Sequence, residues 1–519
     1  MNVLDEVHLS PQYLQYNNTG YASIEQSERL SHPEEFSASG RYTNARELAG
    51  ILLTANQIDE LFRIYFEKYH PFLTILDPEL SPDEYYALSP LLFWLVISVA
   101  SRRFEEEPTL ISALSQSVPA MLWRCVGEYP HRRPMVDAII ILCVWPFPAP
   151  SLWTDPSVIL VGIAKTVAMQ LGLHNPTSFM DHAGHPDQCS EKEIRDAIIS
   201  WSACYIAAQC ITSGVGQESL FKRDSTIERA CEQGNPYALP AKLRYRLLIS
   251  RISVRISILM SENMYTPFGL PSDTDRDLLM GDIESGLDRL ENEILGHCDV
   301  QIRLWLCCTR LQLRLFHFFD IASHNHRKLG LLKIFTTAST LIETILAEDS
   351  NSKFLLYSPP YIYRMLTIAA VVLLKTIKSN YSCNIDASIV KRNINSVIMI
   401  LRHYCLDDGD TYGRSSKILA RLWNLHQYGI ASSSDNTSLR DLGANILHGT
   451  LWTWKHTFDG EICTAYTEHT GEDRAHEQDM VHSGAELQTL NMDENARHPI
   501  TDFNITNWIW DLGLPFGQS

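Results

Sequence analysis

From Ile58 onward, apolar residues fall at the spacing of one helical face. Ile58, Leu61, Phe62, Tyr65, Phe66 and Tyr69 recur until Pro71 interrupts the run, which predicts an amphipathic helix ending near that proline. Local start and stop signals repeat the message further on. Ser89 before Pro90 offers an N-cap and a first-turn proline to LLFWLVISVASRRF, and Asp155 with Pro156 does the same for SVILVGIAKTVAMQL. Gly172 is placed for the left-handed residue that closes this second helix, and Ser190 with Glu193 has capping-box spacing before IRDAIISWSACYIAAQ.

Helix-length segments continue through RLLISRISVRISILM, DLLMGDIESGLDRLENEIL, IRLWLCCTRLQLRLFHFF, LLKIFTTASTLIETILA, YIYRMLTIAAVVLLK, IVKRNINSVIMILRHY and KILARLWNLHQY. Alternating runs bounded by tight hairpin turns are not found, and no fixed-period repeat emerges, so the expected fold class is all-α. The reading is one large irregular helical domain over 51–431. A polar, turn-rich leader over 1–50 precedes it and a mostly disordered acidic tail over 432–519 follows, in which RDLGANILHGTLWTWKH could add a last helix.

At 519 residues the chain exceeds what one core usually organises; size alone allows two or three packed units or one extended helical array and leaves the choice to the helical pattern. The composition, 45% hydrophobic and 20% charged, is that of a globular chain. A net charge of −18 argues against an extensive nucleic-acid surface. The densest basic stretches are only the pairs Arg102–Arg103 and Arg132–Arg133, read as solvated helix ends. The apolar runs Leu91–Ala100 and Leu366–Leu374, stopped by Arg102 and Lys375, fall short of the ~20 residues that cross a bilayer, so buried helices and no membrane partner are expected. Twelve cysteines without a CxxC pair suggest reduced, buried thiols, and the first residues show no secretory signal.

Candidate chemistry is sparse. Asp181, His182, His185 and Cys189 are all zinc-ligand types, but their spacing matches no known finger and a polar loop accounts for them. Asp407, Asp408 and Asp410 are the one carboxylate cluster that could hold magnesium and a diphosphate, as an all-α enzyme on a hydrophobic substrate would need. Gly409 places them in a turn. Gly214 and Gly216 lack the strand and lysine of a phosphate cradle, so a helix terminus explains them. No catalytic residue, cofactor or metal site is assigned. The end of the tail differs: Phe503, Trp508, Trp510, Leu512 and Phe516, with Ile505, Ile509 and Leu514, crowd a stretch that carries Asp502 and Asp511. Rings kept in water by nearby carboxylates suit a short coactivator-binding segment; docking back on the helical body is the alternative.

LFRIYFEKYHPFLTILDP, SPLLFWLVISVASRRF, VGIAKTVAMQLGLHNP and EIRDAIISWSACYIAAQCITSGVGQ, in this order, resemble the middle homology region of fungal zinc-cluster transcription factors, nearest the group that activates secreted-protease genes. The motifs cover about residues 50 to 220, with Gly162, Ala164 and the LGLH of Leu171–His174 typical and Gly214 and Gly216 at the family's glycine turn. The remainder to about 430 agrees by helical character. The resemblance implies a nuclear regulator of protease or secondary-metabolite genes that contacts coactivators or the transcription machinery. Members also carry a six-cysteine zinc cluster with a basic segment ahead of this region, whereas no cysteine precedes Cys125 here. DNA contact is therefore expected only indirectly or through a missing N-terminal module. A DNA-independent scaffold or inhibitor, heterodimerising with a related zinc-cluster factor, is the alternative.

Overall fold

The computed structural model describes residues 43–427, except 150–153, 177–189, 216, 223, 233–236, 238, 264, 267–268, 295–298, 321–324, 380–384 and 407–408. The leader to Tyr42, the tail from Tyr428 and the cluster Asp181, His182, His185 and Cys189 lie outside the described residues.

The protein is all-α. Fifteen α-helices and one two-stranded hairpin make up the regular structure of the described residues, with short 3-10 and π turns. The hairpin straddles the expected boundary at residue 50. β1 (Arg46–Leu48) pairs antiparallel with β2 (Ile51–Leu53), and Ala49 and Gly50 take φ of 51° and 86°, the two positive values a tight two-residue turn requires. Arg46 fastens it by an ion pair with Asp83 at 2.7 Å and by lying 4.1 Å over the Tyr86 ring.

α1 (Ala55–Ile64) begins at a Thr54–Gln57 capping box that the sequence reading missed. A π turn over Tyr65–Tyr69 extends it, and Pro71 lies in the 3-10 turn that ends it. α2 (Pro82–Leu88) and α3 (Pro90–Ala100) follow, and the Ser89 hydroxyl accepts from the Leu92 amide at 3.2 Å, as its position predicts. Leu91 to Ala100 are all buried, so α3 has no solvent face.

Next come α4 (Leu110–Gly127), α5 (Arg133–Val144), α6 (Ser157–Gln170) and α7 (Glu191–Val215). The Asp155 carboxylate accepts from the Ser157 amide at 2.9 Å to start α6. Gly172, at φ 70°, closes it, with Leu173 N–H donating to Ala168 and Gly172 N–H to Met169. Ser190 and Glu193 form the expected box ahead of α7.

The second half comprises α8 (Ser225–Cys231), α9 (Ala241–Leu259), α10 (Asp273–Ile294), α11 (Val300–Arg314), α12 (Asn325–Ser352), α13 (Pro360–Lys378), α14 (Ala387–Tyr404) and α15 (Thr411–Gln427). Three helices, α7, α12 and α13, are long and apolar enough to cross a membrane by length and composition; 78%, 50% and 78% of their most apolar windows are buried inside the protein.

Buried apolar side chains form two cores, one drawn from Leu53 to Val254 and the other from Tyr245 to Trp423. α9 serves both. Stepping ~100° per residue, it turns Leu243, Leu247 and Val254 to the first core and Tyr245, Ile249 and Ile256 to the second.

Polar ties also join the halves. Arg103 donates to the Tyr404 carbonyl at 2.6 Å, Trp145 Nε1 to the Tyr357 carbonyl at 3.1 Å and Arg364 to Asp155 at 3.1 Å. Arg102 donates to the Pro146 carbonyl at 2.7 Å, and Arg133 bridges the buried Asp137 and Asp196. Arg102, Arg103 and Arg133 are therefore half-buried struts and not solvated helix ends, because each guanidinium finds carbonyls or carboxylates brought in from other segments; Arg132 alone is exposed.

Candidate functional site

α9 carries the most unusual chemistry among the described residues, because its sequence AKLRYRLLISRISVRISIL puts arginines and serines among apolar residues on every turn. Arg246, Ser250, Ser253 and Ser257 share a third face along the seam between the cores. Gln209 of α7 donates to the Ser253 and Ser257 hydroxyls at 2.9 and 3.3 Å, and Ser253 donates to Gln312 of α11 at 2.6 Å.

Arg246 is 6% exposed and has no carboxylate at ion-pair distance among the described residues. It donates to the Phe72 carbonyl, approaches the Cys210 sulfur at 3.7 Å and lies 3.8 Å over the Trp305 ring, which stacks on Tyr361 at 4.8 Å. Burial holds this guanidinium below its usual range. A void of about 30 Å³ beside Arg246, Trp305, Tyr361 and Arg364 has room for one or two waters.

The fourth face of α9 opens on a cleft of about 730 Å³. Leu248, Arg251, Ile252, Arg255 and Leu259 lie on its floor at helical spacing; Ile227 and Glu228 of α8 form one wall, and Gly286, Arg289, Leu290 and Glu293 of α10 the other. Lys222 and Asp224 close one end, and the buried Tyr205 of α7 reaches it from beneath.

All three lining acids are engaged. Asp224 accepts from the Trp201 indole at 3.2 Å and caps α8, Glu228 pairs with Arg251, and Glu293 pairs with Arg244 at 3.3 Å. Arg255 reaches Asp282 at 2.5 Å. Lys222 and Arg289 meet no carboxylate at ion-pair distance among the described residues. The regular helical period signalled α9 in the sequence, and the Arg251–Arg255 spacing inside an apolar helix was the one available sign of the cleft.

Other candidates resolve into structural roles. Asp410 is 4% exposed: one carboxylate oxygen accepts from the Tyr412 and Gly413 amides at 2.9 and 2.8 Å and the other from Leu406 at 2.9 Å, which starts α15. It caps a helix and is not a solvated turn residue; Asp407 and Asp408 lie outside the described residues. Gly214 is in the last turn of α7, where a Cβ would come 3.3 Å from Arg364; Gly216 lies outside the described residues.

Asp277, His317 and Asp320 bring potential metal ligands within 4.8 Å of one another. Both Asp320 oxygens are already taken, by Arg276 at 2.8 Å and His317 at 2.9 Å, so a cation would compete with a guanidinium there. Burial raises the Asp320 carboxyl, yet the His317 and Arg276 hydrogen bonds outweigh it and leave the group below its usual range. Of the described cysteines, Cys143, Cys204, Cys231 and Cys308 are buried free thiols, whereas Cys125, Cys210, Cys307 and Cys405 are half-buried. Phe503, Trp508, Trp510, Leu512 and Phe516 lie outside the described residues.

No family model and no solved structure matches the chain. Five curated relatives do, of which three are described. SEF1 of Eremothecium gossypii is 26% identical over 337 residues, 64% of this chain and 32% of the relative. The transcriptional regulatory protein SEF1 of Candida albicans is 25% identical over 381 residues, 72% of this chain and 41% of the relative. The regulatory protein LEU3 of Saccharomyces cerevisiae is 22% identical over 422 residues, 73% and 47% of the two chains. The match thus spans about a third to a half of each relative's length, and over most of its own length this chain is similar to fungal regulators of transcription.

Proposed function

We propose that this chain is the helical control body of a fungal transcription regulator of the zinc-cluster type. The carrying observation is the similarity to SEF1 and LEU3 over 64% to 73% of the chain. The engagement of Asp410 as a helix cap supports a role other than diphosphate chemistry.

In this reading the protein works in the nucleus on protease or secondary-metabolite genes. It reaches DNA through a zinc-cluster module ahead of the helical body or through a related factor. Phe503, Trp508, Trp510, Leu512 and Phe516 enter a coactivator groove, while Asp502 and Asp511 keep the segment in water.

Tethering the full chain to a promoter of intermediate output tests the reading: output moves if the chain regulates transcription, and unchanged output from an expressed fusion refutes it. Residues 459–519 alone, fused to a heterologous DNA-binding domain, should activate, and Trp508→Ala with Trp510→Ala should abolish that activity. Full activity of the double variant would refute insertion of the rings.

A further inference from the structure

We propose that Asp277, His317 and Asp320 bind a divalent transition-metal ion, zinc or a close relative, where α10 meets the turn that follows α11. The site is separate from any zinc cluster ahead of the helical body, because it offers nitrogen and oxygen and no thiolate. A potential ligand atom from each of the three residues lies within 4.8 Å of the other two. The imidazole selects the ion: magnesium and calcium prefer oxygen alone, whereas zinc and its neighbours take imidazole together with carboxylates.

The two inner ligands are already in place. His317 stands in the 3-10 turn Leu315–Phe319, and its Nδ1 lies 2.9 Å from Asp320 Oδ2, with a proton between them. Gly330 of α12 packs against the ring so closely that a Cβ there would come 2.6 Å from Cγ and 2.7 Å from Nδ1. The backbone of α12 thus sets where the imidazole lies. An ion takes the place of the shared proton, which passes to solvent or to Nε2. Asp277 is exposed on α10 and supplies the movement that metal bonds of ~2.0–2.2 Å demand.

The charges suit a divalent ion. Arg276 holds Asp320 Oδ1 at 2.8 Å and also pairs with Asp273 at 2.8 Å. Asp273 balances the guanidinium, so Asp277 and Asp320 bring two negative charges to the ion. The Arg276 bond to Oδ1 is then the outer hydrogen bond that orients a ligating carboxylate. Bound there, the ion clips the start of α10 to the turn between α11 and α12. Binding at this place is independent of the regulatory reading and is measured without any transcriptional readout.

Calorimetric titration of the metal-stripped full chain with zinc chloride tests the site. Cobalt(II) absorption identifies the ligands, since the chain's 12 cysteines and 19 histidines offer zinc other places. A single saturable tight site is expected, with cobalt d–d bands and no thiolate charge-transfer band, and equimolar magnesium should not displace the ion. Asp277→Asn, an exposed change that spares the fold, and His317→Gln should each weaken zinc by at least about tenfold, the loss that follows removal of even an outer partner. Zinc should raise the thermal midpoint of the wild type more than that of Asp277→Asn. Absent saturation, a thiolate band at the first equivalent, displacement by equimolar magnesium, or undiminished affinity in Asp277→Asn or in folded His317→Gln would overturn the proposal.

Discussion

Because α9 is built into both cores, a cavity on either of its faces should weaken the whole helical body. Leu247 and Ile256 are each 0% exposed and point to the first and second core respectively. Truncating either to alanine removes about three carbons, worth ~0.8 kcal/mol per methylene, and leaves a void that closely packed neighbours cannot close, for a total of about 2–5 kcal/mol. Nine residues of helix separate the two by roughly 13 Å, beyond direct contact, so in one cooperative unit the two costs add.

Scanning calorimetry of the wild type, the two single variants and the double variant reads the outcome. A single transition is expected, lowered by Leu247→Ala and by Ile256→Ala alike and lowered furthest in the double variant. Two resolved transitions, with each substitution moving only one, would refute the claim that α9 and the ties from Arg103, Trp145 and Arg364 weld the cores together. The shared helix would then be a hinge between separate folding units.

Asp410→Ala should destabilise the protein by about 2 kcal/mol or more, because the cap of α15 is lost and three amides lose their acceptor. An unchanged denaturation midpoint would show that water replaces the carboxylate. Burial pulls the Lys375 ammonium from 10.5 down to about 7, so between these values the unfolded chain holds a proton that the folded chain does not. Stability should therefore climb as pH rises through this window and be least below it. Lys375→Met should remove that slope, and midpoints measured on either side of the window would contradict the assignment if both proteins kept the same slope.

Local chemistry made much of the helical architecture legible in the sequence. Ser89 with Pro90, Ser190 with Glu193 and the left-handed Gly172 each act on amides or carbonyls within a few residues, so spacing alone identifies them. The periodic run from Ile58 likewise announces its buried face, whereas the hairpin at Ala49–Gly50 escaped because two three-residue strands carry too few positions to show alternation.

The tertiary structure decided what the charged residues do. Arg102 finds its acceptor 44 residues away and Arg103 finds one 301 residues away, so neither could be told from a solvated helix end. The same holds for the cleft. The sequence shows that α9 is a helix with arginines in it, but which of those cations are neutralised depends on Glu228 of α8, Asp282 and Glu293 of α10, and Arg244 within α9 itself. Helix formation is set by neighbours along the chain, whereas a surplus of charge in a cleft is a sum over segments that only folding brings together.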